Sequence, residues 1–170
     1  TVCALDQLRE DGWEIPEARV RQGLRHVVAN TGHLGRMQVL EENPLLICDT
    51  AHNPSGVAQV VRQLQEYPAG RWHVVWGMVG DKKREDVLAL LPPPARYYWV
   101  QPSVPRGLAA ADLAREGEAI GLEGEVYGGV LAGLAAARAA ARPQDLIYVG
   151  GSTFVVADLL AAYPEMKALG

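Results

Sequence analysis

The sequence predicts an α/β fold in three layers, with a mainly parallel sheet, helices on both of its faces and a short helical segment in front. Three observations predict this class. Short apolar or β-branched runs alternate with helical segments, the connections between them are short, and a break at residues 30–35 separates this pattern from the first residues. Parallel neighbouring strands need crossover connections, which helices supply.

The residues before the break predict two helices. Residues 2–9 carry apolar positions at helical spacing, Ile15-Pro16 predicts a turn, and residues 17–28 predict the second helix. The stretch NTGHLG at residues 30–35 has the composition of a linker. We therefore expect two parts, residues 1–34 and residues 35–170.

The residues after the break predict alternating strands and helices. The expected strands are LLICD, WHVVWG, RYYWV, EVY and DLIYVG. The expected helices are the segment after Pro54, with Val57, Val60, Val61 and Leu64 on one face, and the segments EDVLALL, AADLAREGEAIG, VLAGLAAARAAA and FVVADLLAAY. Sheets of this kind bind ligands beyond the carboxyl ends of their strands. The loops after LLICD, WHVVWG and DLIYVG are therefore the candidate sites.

Composition narrows the function classes. The chain has 170 residues, 49% hydrophobic and 21% charged, with a formal net charge of -4. This balance argues against a nucleic-acid or anionic membrane surface, and no run approaches the roughly 20 apolar residues of a membrane span. We expect small-molecule or protein partners. Two cysteines are too few for a disulfide framework, which favours a reducing cytoplasm. The start at Thr1, without methionine, indicates processing or a cut in a longer protein.

The loop after the first strand, DTAHNPSG at residues 49–56, carries the richest chemistry. Asn53-Pro54 predicts a helix cap followed by proline at the first helical position. Asp49 offers a carboxylate for sugar hydroxyls, and His52 beside a helix N-terminus suits a carboxylate or phosphate. The alternative is structural: Asp49 caps the loop and His52 bonds to a backbone carbonyl. Spacing alone favours the structural alternative.

Three further residues are candidates for ligand contacts. Ser152 follows Gly150-Gly151 and either meets a ligand or caps an ordinary strand-to-helix turn. Lys82 opens a helix, where it points at an anion or is simply solvated. Arg36 at the linker offers a planar fork for phosphate or an interdomain salt bridge.

Several motifs are absent from the sequence. It contains neither the dinucleotide fingerprint G-x-G-x-x-G at a strand end nor the phosphate loop G-x-x-x-x-G-K-[ST], so ATP hydrolysis by this chain alone is not expected. The four histidines and two cysteines share no metal-ligand spacing. A hydrolase built from Ser152, His52 and Asp49 would lack the usual G-x-S-x-G elbow.

Four stretches in order carry a resemblance to a known family. GRMQVL at 35–40, DTAHNPSG at 49–56, GMVGDKKREDVL at 77–88 and GGSTFVVADLL at 150–160 resemble the C-terminal domain of folylpolyglutamate and dihydrofolate synthases, in the Mur ligase superfamily. The resemblance implies a Rossmann-like C-terminal domain over residues 35–170. It also implies that residues 1–34 are the tail of a central ATPase domain. Thr50 stands where the family usually has glycine.

The resemblance implies an ATP-dependent, ADP-forming ligase that uses Mg²⁺. Such enzymes add glutamate to a folate or dihydropteroate carboxylate through an acyl phosphate. It assigns Arg36 and Asp49 to ATP, and His52, Ser152 and, more weakly, Lys82 to glutamate. The family's phosphate loop, magnesium ligands and folate pocket lie in an N-terminal ATPase domain outside this sequence. We therefore expect the chain to be inactive alone.

Two other interpretations stay open from the sequence. One is an independent Rossmann-like module that binds a small molecule, with His52 and Ser152 only structural. The other is the C-terminal domain of a peptidoglycan-type Mur ligase.

Overall fold

The computed structural model describes residues 2–80, 84–92 and 94–168. The chain divides into two compact units, Thr1–Leu34 and Gly35–Gly170, which we call the helical unit and the sheet unit. Among the described helices none is long and apolar enough to cross a bilayer.

The helical unit contains α1 (Val2–Glu10), α2 (Glu17–Arg25) and α3 (Val27–Thr31). Arg9 fixes the corner between α1 and α2. Its Nε donates to the Ile15 carbonyl at 2.9 Å, and its guanidinium pairs with Asp6 at 2.9 Å and Glu17 at 3.2 Å. None of the residues of α2 is fully buried.

The expected single helix over residues 17–28 is wrong in one respect, since it is divided at His26. The backbone of His26 has φ −107° and ψ 21°, outside the α region. Its ring Nδ1 donates to the Gln22 carbonyl at 2.8 Å. A side chain that bonds to a nearby backbone carbonyl offers the chain an alternative to the helical ladder.

The sheet unit is built on six strands in the order β1-β2-β6-β3-β4-β5. β1 is antiparallel to β2, and all other neighbours are parallel. The strand bounds are β1 Gln38–Glu42, β2 Leu45–Cys48, β3 Trp72–Trp76, β4 Ala95–Trp99, β5 Gly124–Val126 and β6 Leu146–Gly150. The helix bounds are α4 Pro54–Leu64, α5 Arg84–Leu88, α6 Ala110–Glu118, α7 Val130–Ala140 and α8 Thr153–Ala168.

Helices cover the sheet on both faces. One core cluster joins inward residues of the central strands to α4, α5 and α6, and a second joins the opposite strand face to α7 and α8. β6 is buried at all five positions, as expected for a strand covered on both sides. The predicted three-layer α/β fold with a mainly parallel sheet is confirmed.

β1 was not among the predicted strands. It pairs only with β2, its five residues are partly exposed, and a bulge interrupts the pairing between Val39 and Glu41. An edge strand buried on neither face shows no clear apolar pattern, so the sequence gives little signal for it.

A buried polar network lies near the amino ends of β3, β4 and β6. The His73 ring has its Nδ1 2.9 Å from the Tyr98 hydroxyl and its Nε2 3.5 Å from the Asp145 carboxylate. Asp145 also accepts the backbone N–H groups of Arg71 at 2.9 Å and Arg142 at 2.8 Å. Burial lowers the pKa of His73, an effect that Asp145 only partly opposes. Burial alone would raise the pKa of Asp145, but these donors outweigh it and hold that pKa below its ordinary value.

We expect this network to make the free energy of unfolding fall on acidification. Unfolded His73 binds a proton below its ordinary pKa of about 6.5, whereas folded His73 resists it, so stability declines as the pH falls from 7 towards 5. One such group contributes at most about 1.4 kcal/mol per pH unit. Asp145 adds a loss at lower pH, below its ordinary value of about 3.9.

Urea denaturation at a series of pH values measures this slope. His73→Gln should remove the dependence between pH 5 and 7 while keeping the loss at lower pH. The exposed His33→Gln is the matched control and should leave both parts in place. An unchanged slope in His73→Gln would rule out His73 as its source.

Candidate functional site

The candidate site is the edge of the sheet where β2, β6 and β3 end. These strands are neighbours, so the loops that follow them leave the sheet side by side. The Gly77 N–H donates to the Gly150 carbonyl at 3.3 Å, and the Asp49 N–H donates to Val149 at 3.2 Å. The structure therefore brings the loops that begin at Asp49, Gly77 and Gly151 to one edge.

Asp49 is the anchor of its loop. Its side chain is 4% exposed, and its two oxygens accept the backbone N–H groups of Met37 at 2.8 Å and Ala51 at 2.7 Å. The Met37 bond spans the β1-β2 hairpin and holds a non-glycine residue at φ 41°. The structural alternative for Asp49 is thus realised. A sugar hydroxyl would have to bind beside these donors, which a carboxylate with about four acceptor positions permits.

Arg36 projects from the turn that Asp49 holds. Its side chain is 59% exposed, and Nη1 lies 3.7 Å from the Asp49 carboxylate. The preceding Gly35 has φ 76°, and a β-carbon there would lie 2.9 Å from Val156 and 3.0 Å from Thr50. The backbone is therefore fixed while the guanidinium stays accessible.

His52 and Asn53 form the entrance to α4. The Asn53 side chain accepts the Gly56 N–H at 2.9 Å, and Pro54 occupies the first turn, as predicted. His52 is exposed, and its Nδ1 donates to the Thr50 carbonyl at 3.0 Å. That bond leaves Nε2 as the free acceptor of the neutral ring. Thr50 takes no left-handed backbone angle, so the loop forms without glycine at this position.

Ser152 precedes α8 in the same way as Asn53 precedes α4. Gly151 has φ 92°, and the Ser152 hydroxyl accepts the Phe154 N–H at 3.1 Å, so Ser152 acts as a cap. The residue is 1% exposed. A ligand therefore meets the helix end and its backbone N–H groups more readily than the hydroxyl itself. Lys82, the remaining glutamate candidate, lies outside the described residues.

A serine hydrolase triad is not assembled at this edge. The His52 Nδ1 bonds to a backbone carbonyl and not to Asp49, whose oxygens hold backbone N–H groups. The Ser152 hydroxyl caps α8. Within the described ranges, no group of three His, Cys, Asp or Glu residues is placed to hold a metal ion.

Cys48 and Tyr148 lie beneath the site and are not reactive groups. Burial, followed by the neighbouring Asp49 charge, raises the pKa of Cys48 to about 12. Burial likewise raises the pKa of Tyr148 well above its ordinary value. A thiol and a phenol that stay protonated at neutral pH serve as packing groups and not as nucleophiles.

Sequence reasoning missed the loop after β4, residues 101–108. The Leu108 N–H donates to Met78 at 2.9 Å, the Gly80 N–H to Arg106 at 3.0 Å, and the Ser103 N–H to Asp158 at 2.8 Å. These bonds attach the loop to the β3 exit and to α8. The proline-rich segment QPSVPRG carries no recognised motif, so only the sheet order brings it to the site.

Comparison with known proteins identifies the family. The family model described as Mur ligase, glutamate ligase domain, matches residues 35–153. A probable bifunctional folylpolyglutamate synthase/dihydropteroate synthase of Haloferax volcanii is 34% identical over 153 residues, which are 89% of this chain and 17% of that protein. The dihydrofolate synthase/folylpolyglutamate synthase of Escherichia coli K12 is 32% identical over 169 residues, 98% of this chain and 38% of that protein.

A solved structure agrees with these matches. A bifunctional folylpolyglutamate synthase/dihydrofolate synthase with Mn, AMPPNP and L-glutamate bound superimposes with a TM-score of 0.80 and 32% identity, over 94% of this chain and 38% of that one. The chain thus spans well under half the length of these relatives. The resemblance drawn from the four sequence stretches is confirmed. The chain belongs to the Mur ligase superfamily, as a C-terminal domain of the folylpolyglutamate and dihydrofolate synthase type.

Proposed function

We propose that this chain is the glutamate-side domain of an ADP-forming ligase that joins glutamate to a folate or dihydropteroate carboxylate. The observation that carries the proposal is the pair of helix starts at one sheet edge, α4 behind His52 and α8 behind Ser152. Each presents backbone N–H groups that suit an anion. Family membership and the relative with L-glutamate and AMPPNP bound support the same substrates.

The roles follow from the positions of the side chains. His52, exposed with a free Nε2 that can accept a hydrogen bond from the glutamate amino group, seats the incoming glutamate together with the α8 start at Ser152, and we retain Lys82 as a weaker candidate. Arg36, exposed and held by Asp49, faces the nucleotide phosphates, and Asp49 lies on the ribose side. The domain contributes orientation, because holding the amine against an acyl phosphate removes much of the entropic barrier.

We assign the activation chemistry to an N-terminal ATPase domain of the same polypeptide. There, in the presence of Mg²⁺, the γ-phosphate of ATP would be transferred to the folate or dihydropteroate carboxylate, which gives the acyl phosphate and releases ADP. Arg36 fits the nucleotide phosphates, since its guanidinium is accessible and lies beside the Asp49 carboxylate. We propose no metal ligand among the described residues. On this basis the chain alone is inactive and works when the two domains close over the substrates.

We propose that residues 1–34 are the C-terminal tail of that ATPase domain together with the linker that follows it. Trp13 is 65% exposed, Leu24 54% and Val28 47%. A helical unit of this size cannot bury such side chains by itself, and they suit packing against further chain of the parent protein. The proposed compartment is the cytoplasm, where the free Cys3 and Cys48 stay reduced.

His52→Ala in the full-length enzyme tests the proposal. Loss of a hydrogen bond to a charged substrate should raise the KM for glutamate roughly 10- to 100-fold. The KM for ATP should change little, because His52 is not on the nucleotide side. Steady-state rates of glutamate addition at varied glutamate and at varied ATP measure both constants.

His33→Ala is the matched control, since His33 is also exposed but lies in the helical unit. It should behave as the wild type. Equal rises of the two KM values in His52→Ala, or no rise, would contradict the glutamate role. A wild-type enzyme that adds no glutamate to either folate or dihydropteroate would contradict the proposed function.

A further inference from the structure

Arg106 brings a cation to the first turn of α8. Its guanidinium carbon lies 5.0 Å from the centre of the Phe154 ring, and Phe154 is the residue whose N–H is capped by Ser152. Arg106 is exposed. The guanidinium therefore contacts a side chain in the first turn of α8, the helix whose start the proposed function assigns to glutamate.

The backbone at Arg106 is fixed by neighbouring loops. Its carbonyl accepts the Gly80 N–H at 3.0 Å, in the loop that leaves β3. The Ser103 backbone and hydroxyl both donate to the Asp158 carboxylate on α8. An isolated bridge between Val79 and Gly107 joins the same two loops. The backbone of residue 106 is thus held between the β3 exit and α8.

The charge arrangement favours a planar anion. The start of α8 carries the positive end of the helix dipole, and its first turn holds no acidic residue. A guanidinium beside it is a second positive charge, which an anion between them would stabilise. The cation–π contact places the guanidinium over the Phe154 ring. The N–H groups of a guanidinium can bind a carboxylate with two parallel hydrogen bonds.

We infer that Arg106 is a further glutamate-binding residue, whose guanidinium receives one carboxylate of the incoming glutamate. The inference rests on the proposed function and adds a residue to its glutamate site. The ligase reaction consumes the amine of that glutamate and neither of its carboxylates, so each carboxylate keeps its charge and gains from a cation. Arg106 follows β4 and Arg36 precedes β1. In the sheet, β2, β6 and β3 lie between these two strands. The sheet order thus separates the glutamate cation from the nucleotide cation.

Arg106→Met in the full-length enzyme tests the inference. The KM for glutamate should rise roughly 30-fold, because a charge-assisted bidentate contact is lost, while the KM for ATP stays within about twofold. Arg106→Lys keeps the charge without the planar fork and should recover part of the loss. Arg115→Met is the matched control, since Arg115 is exposed on α6 and pairs only with Asp112 among the described residues.

Two amides of glutamate separate binding from a structural role. L-glutamine lacks the γ-carboxylate and L-isoglutamine lacks the α-carboxylate. One of these two amides lacks the carboxylate that Arg106 binds. With that amide, wild type and Arg106→Met should react at equal kcat/KM. With the other amide, the kcat/KM of Arg106→Met should remain below that of the wild type. Equal losses with glutamate and both amides, or an unchanged KM for glutamate, would overturn the inference. Failure of the proposed function is visible separately, as a wild type that adds no glutamate, and it would overturn the inference as well.

Discussion

Gly151→Ala should destabilise the sheet unit by about 3 kcal/mol or more, from the left-handed backbone and the overpacking together. Gly151 has φ 92°, a region that side chains with a β-carbon rarely adopt. A β-carbon there would lie 2.6 Å from the Gly77 carbonyl oxygen and 2.7 Å from the Trp76 ring. The carbonyl belongs to the exit of β3 and the ring is fully buried, so neither can move cheaply.

The same substitution should impair glutamate use. Gly151 sets the angle at which the chain leaves β6 and enters α8, and Ser152 caps that helix. A shift of this turn moves the helix start away from the glutamate position, and small misplacements of a bound reactant are costly. Thermal unfolding of the 170-residue chain measures the first effect, as a drop of very roughly 10 °C. The KM for glutamate of the full-length enzyme measures the second.

Gly128→Ala is the matched control for this experiment. Gly128 also follows a strand at the same edge of the sheet, but its φ is not in the left-handed range and nothing lies within 4 Å of an added β-carbon. Its unfolding temperature should stay close to that of the wild type. If Gly151→Ala is as stable as Gly128→Ala, the packing of the β6 turn against Gly77 and Trp76 is not what fixes the entrance to α8.

Most of the strands and helices that could be predicted have a pattern that comes from burial, whereas β5 is exposed at all three positions although the EVY run predicts it. β6 carries an unbroken apolar run and β3 a run interrupted by the buried His73, because both faces are covered, and α4 shows its apolar face because only one side is buried. β1 escaped prediction because it is an edge strand that packs against neither core with a full face. The break at His26 depends on one local hydrogen bond, which no periodicity records.

The features of the candidate site also fall into those that the sequence predicts and those that it does not. The starts of α4 and α8 are predicted by Asn53-Pro54 and by Gly150-Gly151-Ser152, because capping positions and left-handed turns have strong residue preferences. The partner of Asp49 at Met37 and the position of Arg106 over Phe154 depend on contacts between distant parts of the sequence. Those contacts exist only once β1 has paired with β2 and β4 has been placed beside β3. These contacts cannot be predicted from a single sequence before the strand order is known.

Asp49→Ala should cost about 2–4 kcal/mol of unfolding free energy, because two backbone N–H groups lose their acceptor. These are the N–H groups of Met37 and Ala51, at 2.8 Å and 2.7 Å from the carboxylate. Ala51 is 3% exposed, so water cannot replace the lost oxygen there. The left-handed Met37 then loses the bond that holds it, and Arg36 loses its only ion-pair partner among the described residues.

Asp49→Asn separates the anchor from the charge. The amide keeps the volume and one acceptor oxygen, so it should recover part of the stability that alanine loses, while the attraction to Arg36 disappears. Asp112→Ala is the control for removing an exposed carboxylate paired with an arginine, and it should change stability by less than about 1 kcal/mol. Urea denaturation of the four proteins at pH 7 measures these differences.

The KM for ATP then decides between two roles for Asp49. This KM is measured in the full-length enzyme at a temperature well below the unfolding temperature of each variant. It should rise in both Asp49→Ala and Asp49→Asn, because each substitution removes the charge that holds Arg36 beside the nucleotide. A ribose contact adds to this effect in proportion to the lost acceptor oxygens, so alanine should exceed asparagine. If both variants lose stability yet keep the wild-type KM for ATP, Asp49 is an anchor of the β1-β2 edge alone, and its place in the nucleotide site has to be given up. Arg36→Ala in the wild-type background then tells whether the guanidinium reaches the phosphates without that anchor.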